Sequence, residues 1–212
     1  NLSRAELLYS CVSKLVCYIH KNHRDDLLIG LEHYYDSNDY NKTFYYNDST
    51  TTEEQIHTIL CDADKLIKLC DSDFDETTEY QLLLRCLSEQ TVIENDSRRL
   101  RNKEDGGFSF SMLQSPTDPD ATFREKAGKK YRGYVGNLEE SVDKNGSVIT
   151  DYQVEQNIYS DSQFLQDNLQ KADVQEERTI IITDGAYCGA KNTALAASKN
   201  IQLVTTDLTG KD

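Results

Sequence analysis

One aspartate lies where a predicted strand ends and a predicted helix begins. Thr179–Ile182 is a run of four β-branched residues, which is typical of a short strand buried on both faces. Asp184 follows this strand, and Gly185 and Gly189 let the backbone turn into the helical pattern of residues 190–199. Open α/β sheets place their chemistry at the carboxyl ends of strands. Asp184 is therefore a candidate catalytic and metal-binding residue, and the alternative is an aspartate that only caps the next helix.

Two further carboxylates lie in the segment S-P-T-D-P-D-A-T, residues 115–122, which holds both prolines of the chain. Each proline disfavours helix in the residue before it, so Thr117–Pro119 is predicted to be an extended turn from which Asp118 and Asp120 project. Such a pair of carboxylates could bind a cation or a backbone amide. Turn chemistry alone would also explain both residues.

A cluster of positive charge follows directly, between residues 124 and 132. It differs from the acidic balance of the chain, whose formal charge is -14. The cluster predicts contacts to DNA phosphates, and a solvated, positively charged loop is the alternative. The candidate DNA-binding residues are Arg124, Lys126, Lys129, Lys130 and Arg132.

The histidines and cysteines show no metal-binding spacing. The four histidines lie between residues 20 and 57 and lack the paired spacing with a carboxylate that marks a zinc-binding helix, so structural roles are favoured. No C-x-x-C pair occurs among the six cysteines, which indicates reduced thiols in a cytoplasmic protein. Five cysteines are expected to be free and mostly on buried helix faces: Cys11, Cys17, Cys61, Cys70 and Cys86.

The composition of the 212 residues excludes some classes of function. Strong acidity argues against broad, non-specific attraction to nucleic acid. No stretch approaches the roughly 20 apolar residues of a membrane span, so no membrane partner is expected. The chain opens on a helix start, with Ser3 as N-cap and Glu6 completing a capping box, which suggests a piece excised from a longer protein.

The periodicity changes along the chain and predicts three regions. Helical spacing of apolar residues recurs in 5–23, 25–35, 52–71 and 77–90, so residues 1–92 are predicted to be a helical subdomain. Residues 93–114 are polar, then Gly-rich, and are predicted to be a linker or crossing segment. Residues 115–212 are predicted to form a sheet with flanking helices. Asn145-Gly146 predicts a hairpin between Lys130–Ser141 and Val148–Asn157, with strand 179–183 next to it in the sheet.

Three blocks in this order and spacing resemble the DDE transposases of bacterial insertion sequences. The blocks are S-P-T-D-P-D-A-T-F-R-E-K-A-G-K-K-Y-R-G-Y-V (115–135), Y-S-D-S-Q-F-L (159–165) and T-D-G-A-Y-C-G (183–189). The resemblance implies an α+β or α/β protein, in which a helical insertion subdomain precedes a partial ribonuclease-H-like core. Residues 1–92, 93–114 and 115–212 would then be the insertion, the linker and the core.

The resemblance also implies a function and a set of partners. In this family two Asp and one Glu hold two Mg²⁺ ions, for which Mn²⁺ can substitute, and the metals activate water or a 3′-hydroxyl against a phosphodiester. Asp184 matches the second Asp; the first would precede Asn1 and the Glu would follow Asp212, so the chain alone is expected to be inactive. A less favoured interpretation has Asp120 replace the first Asp. Expected partners are transposon-end and target DNA and further copies of the protein.

Two other functions stay open. The chain could be a non-catalytic module that binds other proteins, or a ribonuclease-H-like nuclease unrelated to transposition. A metal ligand at position 184 should respond to Mn²⁺, whereas a structural cap should not. Strand transfer and hydrolysis use the same metal chemistry, so the residues do not separate them.

Overall fold

The computed structural model describes residues 2–46, 51–70 and 73–206 as a mixed α/β protein. The chain forms two compact units, Asn1–Arg132 and Gly133–Asp212. The division of the chain at residues 92 and 114 stays a prediction. Among the described residues, no helix combines the length and the apolar character that crossing a membrane requires.

Four helices form most of the first unit: α1 (Arg4–Lys21), α2 (Asp39–Phe44), α3 (Thr52–Cys70) and α4 (Thr78–Gln90). The predicted capping box of α1 is confirmed, because Ser3 Oγ accepts a hydrogen bond from the Glu6 amide and the Glu6 carboxylate accepts one from the Ser3 amide. The prediction of α3 ended at Asp71, which lies outside the described residues.

The helix predicted for residues 25–35 is wrong. Two separate 3₁₀ turns occupy Asp25–Leu27 and Glu32–Tyr35. Gly30 lies between them at φ +80°, a left-handed conformation that a continuous α-helix does not accommodate. Leu28 and Leu31 are nevertheless fully buried. The apolar spacing of this segment therefore arises from contact with the core and not from helical structure.

The core of the first unit lies between α1, α3 and α4, where Leu15, Leu66 and Leu83 are fully buried. All six cysteines are free, as predicted. Three are buried (Cys11, Cys70 and Cys86), Cys17 is half-buried and Cys61 is exposed.

The segment that was predicted to be a linker contains a small antiparallel hairpin. Strands β1 (Thr91–Glu94) and β2 (Ser97–Leu100) pair from Thr91↔Leu100 to Glu94↔Ser97. Asn95 and Asp96 form the turn at positive φ. The guanidinium of Arg99 lies 2.6 Å from Glu94 and 2.8 Å from Asp105, so ion pairs, more than apolar burial, hold this hairpin.

A second sheet has the strand order β3-β4-β5, with β3 at Thr122–Lys126, β4 at Lys129–Asp143 and β5 at Gly146–Gln156. The predicted antiparallel pairing between β4 and β5 is confirmed, and Val135 lies opposite Glu155. Asp143 stabilises the turn, because its Oδ1 accepts hydrogen bonds from the amides of Asn145 (2.6 Å) and Gly146 (3.1 Å).

The rest of the second unit comprises α5 (Asp161–Lys171), β6 (Thr179–Asp184), α6 (Ala190–Ser198) and β7 (Ile201–Thr206). Strands β6 and β7 are parallel, and Asp184 lies opposite Thr206 at their carboxyl ends. One face of the pair packs on the helices through a small apolar cluster built from Leu165, Leu169, Ala196 and Ile201.

Two predictions about β6 are wrong for the described residues. The strand is not buried on both faces: Ile180 is 58% exposed and Ile182 is 67% exposed, because α5 and α6 cover only the other face. The strand also does not lie beside the β4-β5 hairpin, since β6 pairs with β7 in a separate two-stranded sheet. The hairpin instead contacts α5 through polar side chains, such as Gln153 with Asp167 at 3.1 Å.

Candidate functional site

Asp184 is the last residue of β6, and its carboxylate is held in place by the turn that follows. Its Oδ1 accepts a hydrogen bond from the Ala186 amide at 2.7 Å, and its backbone oxygen accepts one from the Tyr187 amide at 3.3 Å. The residue is half-buried. The described residues donate no hydrogen bond to the second oxygen, Oδ2, so a carboxylate oxygen with a fixed position is open to a ligand.

Side chains of the second unit fix the loop after Asp184. Tyr187 donates its hydroxyl to Asn137 Oδ1 of β4 at 2.8 Å. Asn192, which is 2% exposed, donates its amide to the Tyr187 carbonyl at 2.9 Å and to the Ser162 carbonyl at 2.8 Å. Strand, loop and both helices of this unit are thereby connected, and the position of the Asp184 carboxylate depends on all of them.

The pKa of the Tyr187 hydroxyl is shifted by its surroundings. Burial of its ring, followed by the negative charges of Asp161 and Asp184, raises the pKa of the Tyr187 hydroxyl. Two carboxylates therefore act on one phenol. Asp161 is the first residue of α5, and the N-cap is Ser160, whose Oγ accepts a hydrogen bond from the Gln163 amide. The tyrosine and Asp161 are additions to the predicted site.

The donor set around Asp184 is not a complete metal site. Among the described residues, no group of three His, Cys, Asp or Glu side chains is arranged to hold a metal ion. Each Mg²⁺ requires about six oxygen ligands. The open oxygen of Asp184 suits a hard cation as a single ligand, and by itself it would bind one only weakly.

Asp120 belongs to the first unit, where it is exposed after Pro119. The segment before it is fixed by α4: Arg85 donates to the Pro119 carbonyl at 2.9 Å, and Glu89 accepts from the Leu113 amide at 2.6 Å. Ser115 Oγ accepts from the Asp118 amide at 3.3 Å, so a serine turn orders the Pro-rich segment. A shared metal site with Asp184, which belongs to the second unit, stays a prediction.

The five basic residues do not lie on a loop. Arg124 and Lys126 lie on β3, and Lys129, Lys130 and Arg132 lie on β4. Ala127 and Gly128 connect the strands at positive φ, as a tight hairpin turn requires. All of these basic side chains are exposed except Arg124, which is half-buried. We call residues 122–132 the basic hairpin; their contact with DNA stays a prediction.

Three of the four histidines have side-chain partners. The ring of His20 stacks on Tyr35 with centroids 4.3 Å apart, and its Nδ1 lies 2.7 Å from Asp25. His33 contacts Tyr34, and His57 lies 3.8 Å from the exposed Cys61 thiol. These contacts agree with the structural roles that the spacing favoured.

Comparison of the chain with known protein families, curated proteins and solved structures gives no match.

Proposed function

We propose that this chain is part of a DDE-type transposase with a ribonuclease-H-like core, in which Asp184 is the second metal-binding carboxylate. The parent protein would cleave DNA strands and transfer them during transposition. The observation that carries the proposal is the position of Asp184 at the carboxyl end of the parallel β6-β7 pair, with one oxygen held by the backbone and the other open. The three sequence blocks that resemble this family add to it.

The proposed chemistry assigns a limited role to the residues of this chain. Two Mg²⁺ ions, when bound, would activate the attacking oxygen and stabilise the leaving oxygen of a phosphodiester. Asp184 would supply one oxygen ligand, and its turn would keep that oxygen in a fixed direction. The basic hairpin would contact DNA phosphates. The other Asp and the Glu would lie outside residues 1–212, so these residues alone should neither nick nor join DNA.

A substitution separates the proposed metal-ligand role of Asp184 from its role in the turn that follows β6. In Asp184→Asn the side-chain oxygen can still accept the Ala186 amide hydrogen bond, but the negative charge that attracts a cation is lost. Mn²⁺ is titrated into isotopically labelled protein, and paramagnetic broadening of the amide signals of residues 184–187 is followed by NMR. We expect selective broadening in the wild type at millimolar Mn²⁺, and its loss in Asp184→Asn.

A matched control is Asp173→Asn, which removes an exposed carboxylate from the same unit and should leave the broadening unchanged. Equal broadening in wild type and Asp184→Asn would show that Asp184 acts only in the turn. Absence of broadening in the wild type would also contradict a ligand role. In the parent protein, Asp184→Asn should abolish cleavage without a change in thermal unfolding.

A second candidate, a protein-interaction module, is favoured by one face of the β4-β5 hairpin. Glu140 and Ser147 lie on this face together with five apolar side chains that are between 57% and 72% exposed: Leu138, Val142, Ile149, Tyr152 and Val154. Isolated apolar residues are common on surfaces, but a continuous apolar face often marks contact with another protein. If this face mediates self-association, sedimentation velocity should show oligomers that Leu138→Ser with Tyr152→Ser converts to monomers; wild type that stays monomeric would contradict it.

A further inference from the structure

An aromatic cleft lies in the first unit, beside the basic hairpin. Its volume is about 230 Å³, and its walls include Arg4, Phe108, Phe110, Phe123 and Arg132. None of the residues that line it is acidic, although the chain contains 37 Asp and Glu residues. We call this feature the aromatic cleft. Its charge is thus opposite to that of the chain as a whole.

Two aromatic rings of the cleft, those of Phe108 and Phe110, are exposed, and each packs against another side chain. Phe108 is 49% exposed, and the guanidinium of Arg4 lies 5.1 Å from its ring centroid. Phe110 is 57% exposed, and its ring centroid lies 5.7 Å from that of Phe123. Arg4 in turn donates to the Arg101 carbonyl at 2.6 Å and to Gln90 Oε1 at 3.1 Å, so the ring of Phe108 rests on an anchored side chain.

The cleft is continuous with the basic hairpin. The Phe123 amide of β3 donates to the Phe110 carbonyl at 2.9 Å, which places the segment that carries Phe110 alongside β3. Arg132 of β4 lies 6.0 Å from the Phe123 ring centroid and donates to Gln114 Oε1 at 3.1 Å. Because side chains alternate along a strand, Lys130 shares the face of Phe123 and Arg132, together with Glu125, whereas Lys126 and Lys129 lie on the other face. A ligand that occupied the cleft could therefore extend from Arg132 to Lys130.

We propose that the aromatic cleft binds unpaired bases of a single-stranded DNA end, while the basic hairpin contacts the adjacent phosphates. Exposed aromatic faces beside cations such as Arg132 and Lys130 suit single-stranded nucleic acid, since bases stack on the rings and phosphates pair with Lys and Arg. Charge complementarity favours this occupant over an apolar helix, which would leave the cations unpaired. The inference rests on the proposed function for the choice of DNA over RNA.

The test compares the binding of two fluorescein-labelled oligonucleotides by anisotropy, at 50 mM and at 200 mM NaCl. One is a 15-nucleotide thymidine strand, and the other is the same backbone with abasic sites in place of the bases. Stacking contributes about 1–3 kcal/mol per base, which corresponds to about 5- to 150-fold in affinity. We expect the wild type to prefer the thymidine strand by at least 5-fold, and Phe110→Ala to lose that preference.

Two further variants keep the experiment decisive. Phe110→Leu retains apolar volume without an aromatic face and should also lose the preference. It therefore controls for a folding defect in the alanine variant. Lys130→Gln should weaken both oligonucleotides and reduce the salt slope by about 0.7, which is the contribution of one phosphate contact in single strands. Ile29→Ala, at a 72% exposed site of the same unit, should change nothing.

Several results would overturn the proposal. One is equal binding of thymidine and abasic strands by the wild type; another is an unchanged preference in both Phe110 variants. Displacement of the thymidine strand by an equimolar poly-glutamate peptide would show that the surface recognises acidic chains in general. Asp184→Asn should bind both strands as the wild type does. If the oligonucleotide test fails while the Mn²⁺ broadening at Asp184 is observed, the cleft proposal is refuted and the proposed function is not.

Discussion

Glu89 of α4 should be a main support of the segment that leads to Asp120 and forms part of the aromatic cleft. Its Oε2 accepts the Leu113 amide at 2.6 Å, and its Oε1 lies 2.9 Å from Arg85. Arg85 in turn donates to the carbonyls of Pro119 and Ser111. One carboxylate therefore orders both a buried strand-like segment and the arginine that fixes the Pro-rich turn.

The expected cost of Glu89→Ala follows from these contacts. Leaving a buried amide without a partner costs about 1–3 kcal/mol, and the side chain of Leu113 is only 1% exposed. Loss of a partly exposed ion pair adds at most about 1 kcal/mol. Alanine recovers a few tenths of a kcal/mol through its higher helix propensity. Because the Glu89 side chain is 25% exposed and water can partly replace it, we expect a net loss of about 2 kcal/mol.

Urea unfolding followed by far-UV circular dichroism measures this loss. At an m-value of about 2 kcal/mol/M, the midpoint should fall by about 1 M at unchanged slope. Glu89→Gln keeps an acceptor for the Leu113 amide and should cost less than half as much. Thr78→Ala, an exposed substitution in the same helix, should lie within about 0.5 kcal/mol of wild type. Equal stability of wild type and Glu89→Ala would refute the anchoring role.

Two further predictions concern titratable groups in the first unit. Reaction of native protein with a thiol reagent should modify exposed Cys61 first, and Cys11, Cys70 and Cys86 only after unfolding, because the thiols of these three are buried; fewer than six reactive thiols in denaturant without reductant would contradict the free state of the cysteines. Hydrogen bonds from Arg99 and from the Asn102 amide lower the pKa of Asp105 to about 2. The Asp105 carboxylate therefore contributes its full stabilisation above its unfolded pKa, near 3.9. This contribution is lost as the pH falls through 2. Asp105→Asn should flatten the acid limb of the stability curve between pH 4 and 2, and an unchanged limb would show that the Arg99 pair does not affect folding.

The elements that were predicted correctly are those with a strong local signal. The capping box at Ser3 specifies backbone geometry within a few residues, and the structure has it. The Asn-Gly signal predicted the β4-β5 hairpin correctly, although the two turn residues are Lys144 and Asn145 and Gly146 already pairs with Asp143. The β-branched run of residues 179–182 identified β6 correctly as a strand. Its exposed face could not be predicted, because an apolar run does not distinguish a strand covered on two faces from one covered on a single face.

The elements that were missed are held by polar contacts between residues distant in the chain. Strands β1 and β2 carry arginines, and Arg98 pairs with Asp64 of α3 at 2.8 Å. Such a pair leaves no period in the hydrophobic pattern. The basic hairpin was missed for a similar reason, since its turn uses Ala127-Gly128 and not a common hairpin dipeptide. The aromatic cleft likewise combines residues 4, 108–110, 123 and 132, which only folding brings together.

The two roles that the sequence predicted for Asp184 can be compared with its contacts in the structure. The pattern offered two alternatives, a helix cap and a metal ligand, and treated them as exclusive. In the structure Asp184 does not cap α6, whose N-cap is Gly189. One carboxylate oxygen accepts the Ala186 amide in the preceding turn, and the described residues donate no hydrogen bond to the other. A functional side chain is more effective when a second contact fixes its orientation. The turn contact therefore does not compete with the proposed ligand role, and the Asp184→Asn experiment works because it removes the charge while it preserves that contact.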